Sequence, residues 1–349
     1  MALYSGHFVP FEKPLYTGDL RALITLFLLI VLAIGGWASW QVYAPITPQA
    51  NTSLLLRPGY STRRIAAELK KAGVIHSELA FRIWHATHPK PSLKAGEYLF
   101  EREATLPEVY GRIARGDIFF HVVTIPEGYT IFDIAKAMED AGLGSASDFL
   151  QIAESQTQLI SDIAPQAKSL EGYLFPNTYQ FTRTQSQQEM MAMMVHQFRQ
   201  VAQETGLTPG PNSDVNQIVT MASIVEKETA APEERPRVAS VYYNRLAQKM
   251  ALDADPSVIY AELLAGTYQG ALHHADLAVN SPYNTYRFPG LPPGPIGNPG
   301  RSALEAALHP DSTNFLYFVA DGSGHHRFAH SLEEHNRNVA AYRHSLGMR

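Results

Sequence analysis

An apolar segment near the N-terminus constrains this chain more than any other feature. Residues 22–44 carry no charged side chain and are almost wholly apolar. At a helical rise of about 1.5 Å per residue, such a segment covers the roughly 30 Å hydrocarbon core of a bilayer. The sequence therefore predicts a single membrane-spanning helix over 22–44. Amphipathic rings favour the membrane interface, and three of them gather at the C-terminal end: Trp37, Trp40 and Tyr43.

The charges that flank the apolar segment predict its orientation. Lys13 and Arg21 lie before it, and no Lys or Arg follows until Arg57. Because cytoplasmic flanks carry the excess of positive charge, we expect residues 1–21 in the cytoplasm and the rest of the chain outside it. A cleaved signal peptide is the alternative. The long n-region, the long apolar stretch and Pro45 after the small-residue site favour a retained anchor.

Composition excludes several classes of function. A chain of 349 residues with 45% apolar content can bury one large core or two modest ones, so a multidomain globular protein is expected. A formal charge of −5 provides no basic footprint for nucleic-acid phosphates. The chain has no cysteine, which excludes disulfides, thiolate metal sites and a cysteine nucleophile.

Part of the chain repeats itself at a constant offset of 69 residues. In each copy an apolar run leads through a Gly-Tyr turn into a helix that Ser61 or Thr130 can cap. The matching positions are Gly59-Tyr60, Ile65-Ala66 and Ala72-Gly73 in the first copy, and Gly128-Tyr129, Ile134-Ala135 and Ala141-Gly142 in the second. Matches at a fixed offset predict a duplicated unit, which we place within residues 53–160.

The repeated strand, Gly-Tyr turn and capped helix resemble half of a LysM module, a small fold that binds glycans containing N-acetylglucosamine. A duplicated helix-strand spacer without sugar affinity is equally compatible with the pattern, since Tyr60 and Tyr129 can pack inward instead of stacking on a sugar. The sequence leaves both interpretations open.

The remaining chain predicts a second, larger domain. A proline-containing stalk is expected over 45–52, the duplicated region over 53–160 and a further domain over 161–349. In that last domain, helices are predicted over 214–229, 302–308 and 332–346, and a strand over 315–320. The expected fold class is α+β: an N-terminal transmembrane helix, a LysM-like α+β subdomain and a larger α+β catalytic domain.

The strongest candidate for chemistry is Glu228. It lies in the last turn of the predicted 214–229 helix, where the negative end of the helix dipole and apolar surroundings raise the pKa of a carboxyl group. A carboxyl group that is protonated at neutral pH can donate a proton to a glycosidic oxygen. Glu226, two residues earlier, projects about 200° away and suits a solvated or salt-bridged role.

Ordered blocks of sequence around Glu228 resemble the endolytic murein transglycosylases of the YceG-like family. These blocks are 170–176 (LEGYLFP), 222–229 (ASIVEKET), 243–246 (YNRL), 255–260 (DPSVIY), 283–286 (YNTY), 290–294 (GLPPG) and 298–300 (NPG). The resemblance covers most of the chain from about residue 160, and the anchor and duplicated region in front match the same architecture. It places the family's catalytic glutamate at Glu228.

The resemblance implies a reaction, a location and partners. The expected reaction is cleavage of the β-1,4 bond between N-acetylmuramic acid and N-acetylglucosamine in peptidoglycan, with formation of a 1,6-anhydro end. The expected location is the bacterial inner membrane, with the catalytic domain in the periplasm and peptidoglycan synthases such as penicillin-binding proteins as partners. No cofactor is expected. No metal is expected either, because the spacing of the C-terminal histidines matches no ligand pattern.

Five residues are candidates for binding the sugar, since sugars are held by hydrogen bonds and by stacking on aromatic rings. They are Glu171, Tyr173, Tyr283, Asn284 and Tyr286. Each also has a structural interpretation: the tyrosines can lie in the core, Asn284 can bind a loop backbone and Glu171 can pair with an arginine.

Two alternatives to a transglycosylase remain open. The chain departs from the family pattern at Leu252-Asp253-Ala254, and Asp253 there is either turn chemistry or a second catalytic acid, which would give a two-carboxylate hydrolase. From another class, the chain could be a non-catalytic, membrane-anchored peptidoglycan-binding scaffold.

Overall fold

A computed structural model describes residues 17–49, 51–88, 92–210 and 214–346. The chain divides into two compact units, of which the first ends at Phe119 and the second begins at Phe120. Lys13, on which the predicted orientation partly depends, lies outside the described residues.

The first unit contains the apolar helix α1 (Thr17–Tyr43). The most apolar stretch of 18 residues within Leu20–Tyr43 has a mean hydropathy of 2.3, and none of that stretch is buried in the protein. Length and composition allow α1 to cross a membrane, which is consistent with a single-pass anchor.

The body of the first unit has two helices between two paired strands, and a third helix follows the second strand. Its elements are β1 (Thr52–Leu56), α2 (Thr62–Lys71), α3 (Glu78–Thr87), β2 (Gly96–Phe100) and α4 (Leu106–Arg115). β1 pairs with β2 in antiparallel register. Leu69, Phe81 and Tyr98 form the centre of its own core, with no exposed surface. Within the predicted stalk, Ile46 exchanges backbone hydrogen bonds with Ala104, so this part is tied to the unit.

The second unit begins with the same order of elements. These are β3 (His121–Thr124), α5 (Ile131–Asp140), α6 (Ala146–Ser155) and β4 (Thr178–Phe181), and β3 pairs with β4 in antiparallel register. The predicted caps hold: the hydroxyls of Ser61 and Thr130 accept hydrogen bonds from backbone amides of α2 and α5. The 69-residue repeat therefore corresponds to two strand-helix-helix-strand segments. Their affinity for sugar stays a prediction.

The observed division at Phe119 differs from the expected domain boundary near residue 160. The reason is the second copy of the repeat. Its strand β3 pairs with β4, which lies beyond residue 160, and its helices share the hydrophobic core of the second unit. The two copies therefore belong to different units.

The rest of the second unit is mainly helical. It consists of α7 (Gln187–Thr205), α8 (Val215–Glu228), α9 (Arg235–Ala247), α10 (Asp255–Ala265), α11 (Arg301–Leu308), β5 (Tyr317–Ala320), β6 (His326–Ala329) and α12 (Leu332–Ser345). β5 and β6 form an antiparallel hairpin against which α12 packs. The predicted helices over 214–229, 302–308 and 332–346 coincide with α8, α11 and α12. The mixture of helices and strands agrees with an α+β fold.

Candidate active site

Glu228 is placed by a helix that runs through the core of the second unit. Asp214 caps α8 by accepting a hydrogen bond from the backbone amide of Gln217. Val219, Ile224 and most of the other residues of α8 are buried, and α9 and α11 pack against the helix. Glu228 is the last residue of α8, so the helix presents its carboxyl group from the core to the adjacent cavity.

The surroundings of Glu228 favour a protonated carboxyl group. Burial raises the pKa of Glu228, the hydrogen bond from Tyr242 lowers it in part, Asp255 raises it and Arg245 lowers it, and the net pKa is about 7. The hydroxyl of Tyr242 donates to Oε1 of Glu228 across 2.8 Å. A group of this kind is divided between its acid and base forms near neutral pH, as a general acid that later acts as a base requires.

The cavity beside Glu228 has a volume of about 390 Å³. One part of its wall is polar and comes from α8, α9 and the chain that leads into α10: Glu228, Tyr242, Arg245, Asp253 and Asp255, together with Tyr286. The other part comes from β5 and α12: Tyr317, Phe318, Leu332 and His335. A cavity with several convergent polar groups beside aromatic rings suits a sugar.

Arg245 fixes the polar wall of the cavity. Its Nε donates to the carbonyl of Leu316 across 2.7 Å, and its Nη1 donates to the carbonyl of Leu252 and to Oδ2 of Asp253, each across 3.0 Å. The guanidinium carbon lies 5.1 Å from the centre of the Tyr317 ring. Arg245 thus ties the loop that carries Asp253 to the strand β5.

The unusual segment Leu252-Asp253-Ala254 combines a turn with a place in the cavity wall. Asp253 has a φ of 52°, a left-handed conformation that Asp tolerates in turns. Leu252 and Ala254 are buried in the core, whereas the carboxylate of Asp253 faces the cavity and binds Arg245. The turn chemistry expected of Asp253 is therefore present, in a residue that also lines the cavity.

Asp255 and Tyr286 form a second polar contact in the same wall. Asp255 is the first residue of α10, and its Oδ1 accepts a hydrogen bond of 2.6 Å from the hydroxyl of Tyr286. Tyr286 is the one member of the five predicted sugar-binding residues that lines this cavity.

Glu226 serves a structural role on the opposite face of α8. Its Oε1 accepts a hydrogen bond of 2.6 Å from Nη2 of Arg235, and its Oε2 accepts one of 2.9 Å from the backbone amide of Gly300. The side chains of Glu226 and Arg235 are both almost fully buried. Of the two roles predicted for Glu226, solvated or salt-bridged, the structure confirms the salt bridge, and the pair is internal.

The other four predicted sugar-binding residues lie away from the cavity. Glu171 is buried, and its carboxyl group accepts hydrogen bonds from the backbone amide of Ile131 and the side-chain amide of Asn298. Burial raises the pKa of Glu171 to about 8. It binds the start of α5 and a loop, instead of the arginine that the sequence suggested.

Tyr173, Tyr283 and Asn284 support the fold around the site. Tyr173 has no exposed surface, and its hydroxyl donates to Oδ1 of Asn216. The ring of Tyr283 packs against that of Tyr260, with 5.1 Å between the ring centres. The buried amide of Asn284 donates to the carbonyls of Leu277 and Val279, so it closes a loop just ahead of Tyr286.

Several residues that line the cavity were not predicted. They are Tyr242, Arg245, Asp255, Tyr317, Phe318 and His335. The sequence contains one signal for Tyr242 and Arg245: they are three residues apart, so they share a face of one helix. Arg245 and Asp255 also stand inside the sequence blocks quoted above. Among the described residues, no group of three or more His, Asp or Glu side chains is placed to bind a metal ion.

Comparison with known proteins gives a consistent result. The sequence model of the YceG-like family matches residues 54–341. The endolytic murein transglycosylase of Bacillus subtilis (strain 168) is 33% identical over 89% of this chain and 91% of its own length. That of Streptococcus pneumoniae serotype 2 is 29% identical over 92% of this chain and 65% of its own length. A crystal structure of a YceG-like protein from Listeria monocytogenes superposes with a TM-score of 0.55 and 32% identity, covering 82% of this chain and 97% of that one.

Proposed function

Because this chain belongs to the YceG-like family, we propose that it is a lytic transglycosylase that cuts the glycan strands of peptidoglycan. The bond cut is the β-1,4 bond between N-acetylmuramic acid and N-acetylglucosamine. The observation that carries the proposal is Glu228 itself: a half-buried residue whose carboxyl group has a pKa of about 7 and faces a cavity lined by aromatic and polar side chains.

In the proposed reaction, Glu228 acts first as an acid and then as a base. The protonated carboxyl group donates its proton to the glycosidic oxygen, and the bond to the leaving N-acetylglucosamine breaks. Positive charge develops at C1 of the muramic acid, where the substrate's own N-acetyl oxygen stabilises it, so no protein nucleophile is required. The Glu228 carboxylate then removes the proton of the C6 hydroxyl, whose oxygen bonds to C1 and gives the 1,6-anhydro end.

Residues around Glu228 have distinct proposed tasks. Tyr242 holds the carboxyl group in place through its hydrogen bond. Tyr286 and Tyr317 offer rings and hydroxyls to the sugar, and Arg245 keeps the loop of Asp253 against β5. Glu171, Tyr173, Tyr283 and Asn284 support this arrangement through contacts inside the second unit.

The anchor α1 gives the enzyme its proposed location. We place residues 1–21 in the cytoplasm and the folded units on the outer side of the cytoplasmic membrane, as the flanking charges predict. There the cavity has access to nascent strands, and cutting them ends their elongation. Peptidoglycan synthases are the proposed partners at that position.

Digestion of purified murein tests the reaction. The full chain in detergent is incubated with murein, and the fragments are identified by mass spectrometry. Anhydro-ended fragments are expected, and Glu228→Gln is expected to lower their rate of formation by about 10³-fold or more while the circular dichroism spectrum stays that of the wild type. Fragments with reducing ends would indicate a hydrolase, and unaltered murein would indicate a binding scaffold.

A further inference from the structure

Helix α3 in the first unit has an apolar surface on the side that faces away from its core. Leu79 and Ile83 are four residues apart, so they share one helix face, and they are 60% and 56% exposed. Phe81, on the opposite face, is fully buried. A helix with a single core-facing stripe is expected to have polar residues on its outer face. The outer face of α3 instead exposes Leu79 and Ile83, which we call the α3 apolar face.

The α3 helix lies beside the end of α1. The ring of Trp84 packs edge-on against Tyr43, with 6.2 Å between ring centres, and His76, just ahead of α3, packs against Trp40 at 4.3 Å. Trp40 lies about 4.5 Å before Tyr43 along the helix axis. Interfacial Trp and Tyr residues mark the depth of the lipid headgroups. The contacts therefore bring α3 to the level at which α1 leaves the membrane.

We propose that the α3 apolar face inserts into the outer leaflet of the membrane that α1 spans. The occupant of this surface is the headgroup and upper acyl-chain region of phospholipid, as for a helix that lies in the interface. The proposal rests on the anchor stated under Proposed function. It is independent of the reaction at Glu228.

The second copy of the repeat provides an internal comparison. α6 corresponds to α3 through their caps, at an offset of 68 residues instead of the 69 that relates α5 to α2, because Ser77 and Ser145 each accept a hydrogen bond from the third residue of the helix that follows. The position of Phe81 is then taken by Phe149, which is also fully buried. The positions of Leu79 and Ile83 are taken by Ser147 and Gln151, both exposed.

The comparison separates folding from membrane binding. The buried position is the same in both copies, so the fold of the repeat requires it. The outward positions differ, so the fold does not require Leu79 and Ile83 to be apolar. The apolar pair occurs in the copy that packs on α1, whereas the described residues of the second unit include no helix apolar enough to span a membrane.

The charge of the first unit fits an anionic lipid surface. Residues 45–119 contain eleven Lys and Arg and seven Asp and Glu, a net charge of +4 in a chain whose total is −5. Arg82 is exposed between Leu79 and Ile83. A helix face that combines basic and apolar side chains can bind lipid headgroups and acyl chains at the same time.

Labelling at single positions tests the insertion. The wild-type chain has no cysteine, so one can be introduced alone. The full-length variants Ile83→Cys and Gln151→Cys are labelled with the fluorophore NBD and reconstituted into vesicles of phosphatidylethanolamine and phosphatidylglycerol. We expect doxyl-labelled lipids to quench the label at position 83 severalfold more strongly than the label at 151. We expect aqueous iodide to show the reverse order.

A third label tests whether the apolar pair causes the insertion. Ala86 is exposed one turn after Ile83. A label at Ala86→Cys should be quenched by doxyl lipid in the wild-type background and severalfold less in Leu79→Ser/Ile83→Gln, which introduces the residues of the second copy. The changes Ser147→Ala/Gln151→Ala are the control, and they should leave the quenching unchanged.

Each other outcome overturns the proposal. Equal iodide quenching at positions 83 and 151 would place the α3 apolar face in water. Protection from iodide without quenching by doxyl lipid would indicate a protein surface, such as a second copy of this chain. Flotation of the vesicles after carbonate extraction measures the anchor separately, so loss of the protein from the vesicles would refute the membrane anchor, whereas retained protein with a water-exposed label refutes only the insertion.

Discussion

The hydroxyl of Tyr242 donates a hydrogen bond of 2.8 Å to Oε1 of Glu228. This bond favours the ionised carboxylate, and so it acts against the burial that raises the pKa of Glu228 to about 7. Burial alone would hold the group as an acid. The hydrogen bond from Tyr242 lowers the pKa in part, so that the ionised carboxylate can also form near neutral pH. A residue that serves first as acid and then as base requires both forms.

Replacing Tyr242 should move the pH dependence of the reaction. In the wild type, kcat/KM is expected to fall as the pH rises through about 7, since the proton-donating form of Glu228 is lost. Tyr242→Phe removes a bond that lowers the pKa, so the pKa rises and the falling limb moves to higher pH. At pH 6 the rate should stay within about tenfold of the wild type.

A neighbouring tyrosine provides the control for this shift. The hydroxyl of Tyr243 donates to the carbonyl of Ala307 and makes no contact with Glu228 that the structure describes. Tyr243→Phe should leave the falling limb where it is in the wild type. An unmoved limb in Tyr242→Phe, measured by release of anhydro-muropeptides across pH 5 to 9, would contradict the proposed coupling.

Glu226 and Glu228 should respond in opposite ways to the same substitution. Among the described residues, Glu226→Gln leaves the buried guanidinium of Arg235 with the more exposed Glu127 carboxylate, 3.6 Å away, as its remaining ion-pair partner. Breaking a buried pair in this way costs about 3 kcal/mol of stability. At pH 6, the unfolding temperature should be markedly lower for Glu226→Gln than for the wild type, and it should not be lowered for Glu228→Gln. Of the two variants, only Glu228→Gln should abolish cutting by the folded protein. Equal activity losses in two equally stable variants would contradict this division.

Stability should depend on pH through Glu228. Its pKa is about 4.5 in the unfolded chain and about 7 in the folded one, so the folded state binds more protons between these values. The free energy of unfolding therefore falls as the pH rises from about 4.5 through 7, by up to ~3 kcal/mol from this group. Glu228→Gln lacks this dependence and should gain stability relative to the wild type at pH 8 but not at pH 4. Urea unfolding at both values measures the difference, and a constant difference would contradict it.

The sequence predicted the elements that local patterns determine. The capping residues Ser61 and Thr130 begin their helices as expected, because a cap depends on a side chain and an amide three residues away. Glu228 could be located as the end of an apolar helix and through the family resemblance. Glu226 and Glu228 project in different directions from the helix, and this difference also distinguished the catalytic candidate from the salt-bridged carboxyl group.

The sequence did not predict contacts between distant segments. Glu171 was a candidate for binding sugar, but it binds the amide of Ile131, 40 residues earlier, and Asn298, 127 residues later. Tyr317 and His335 reach the cavity because β5 packs against α9 and α12 packs on the β5–β6 hairpin. Local periodicity in the sequence does not predict such long-range contacts, since they depend on the packing of the whole unit.

The loop of Asp253 should be the part of the site most sensitive to a conservative substitution. Arg245 binds the carbonyls of Leu316, Ala251 and Leu252 and the carboxylate of Asp253 through a planar group with fixed donor directions. The single ammonium of lysine cannot reproduce this geometry. Arg245→Lys should therefore cost about 2 kcal/mol of stability and raise KM for murein, because unpaired carbonyls and a displaced loop remain.

A second arginine of α9 separates this effect from a general sensitivity of the helix. Arg237 has a 45% exposed side chain and meets Asp311 at 3.7 Å. Exposed pairs of this kind contribute at most about 1 kcal/mol, so Arg237→Lys should match the wild type in both unfolding temperature and KM. If Arg245→Lys also matched the wild type, the loop of Asp253 would not depend on Arg245, and the cavity wall would have to be held by the hydrogen bond between Tyr286 and Asp255 instead.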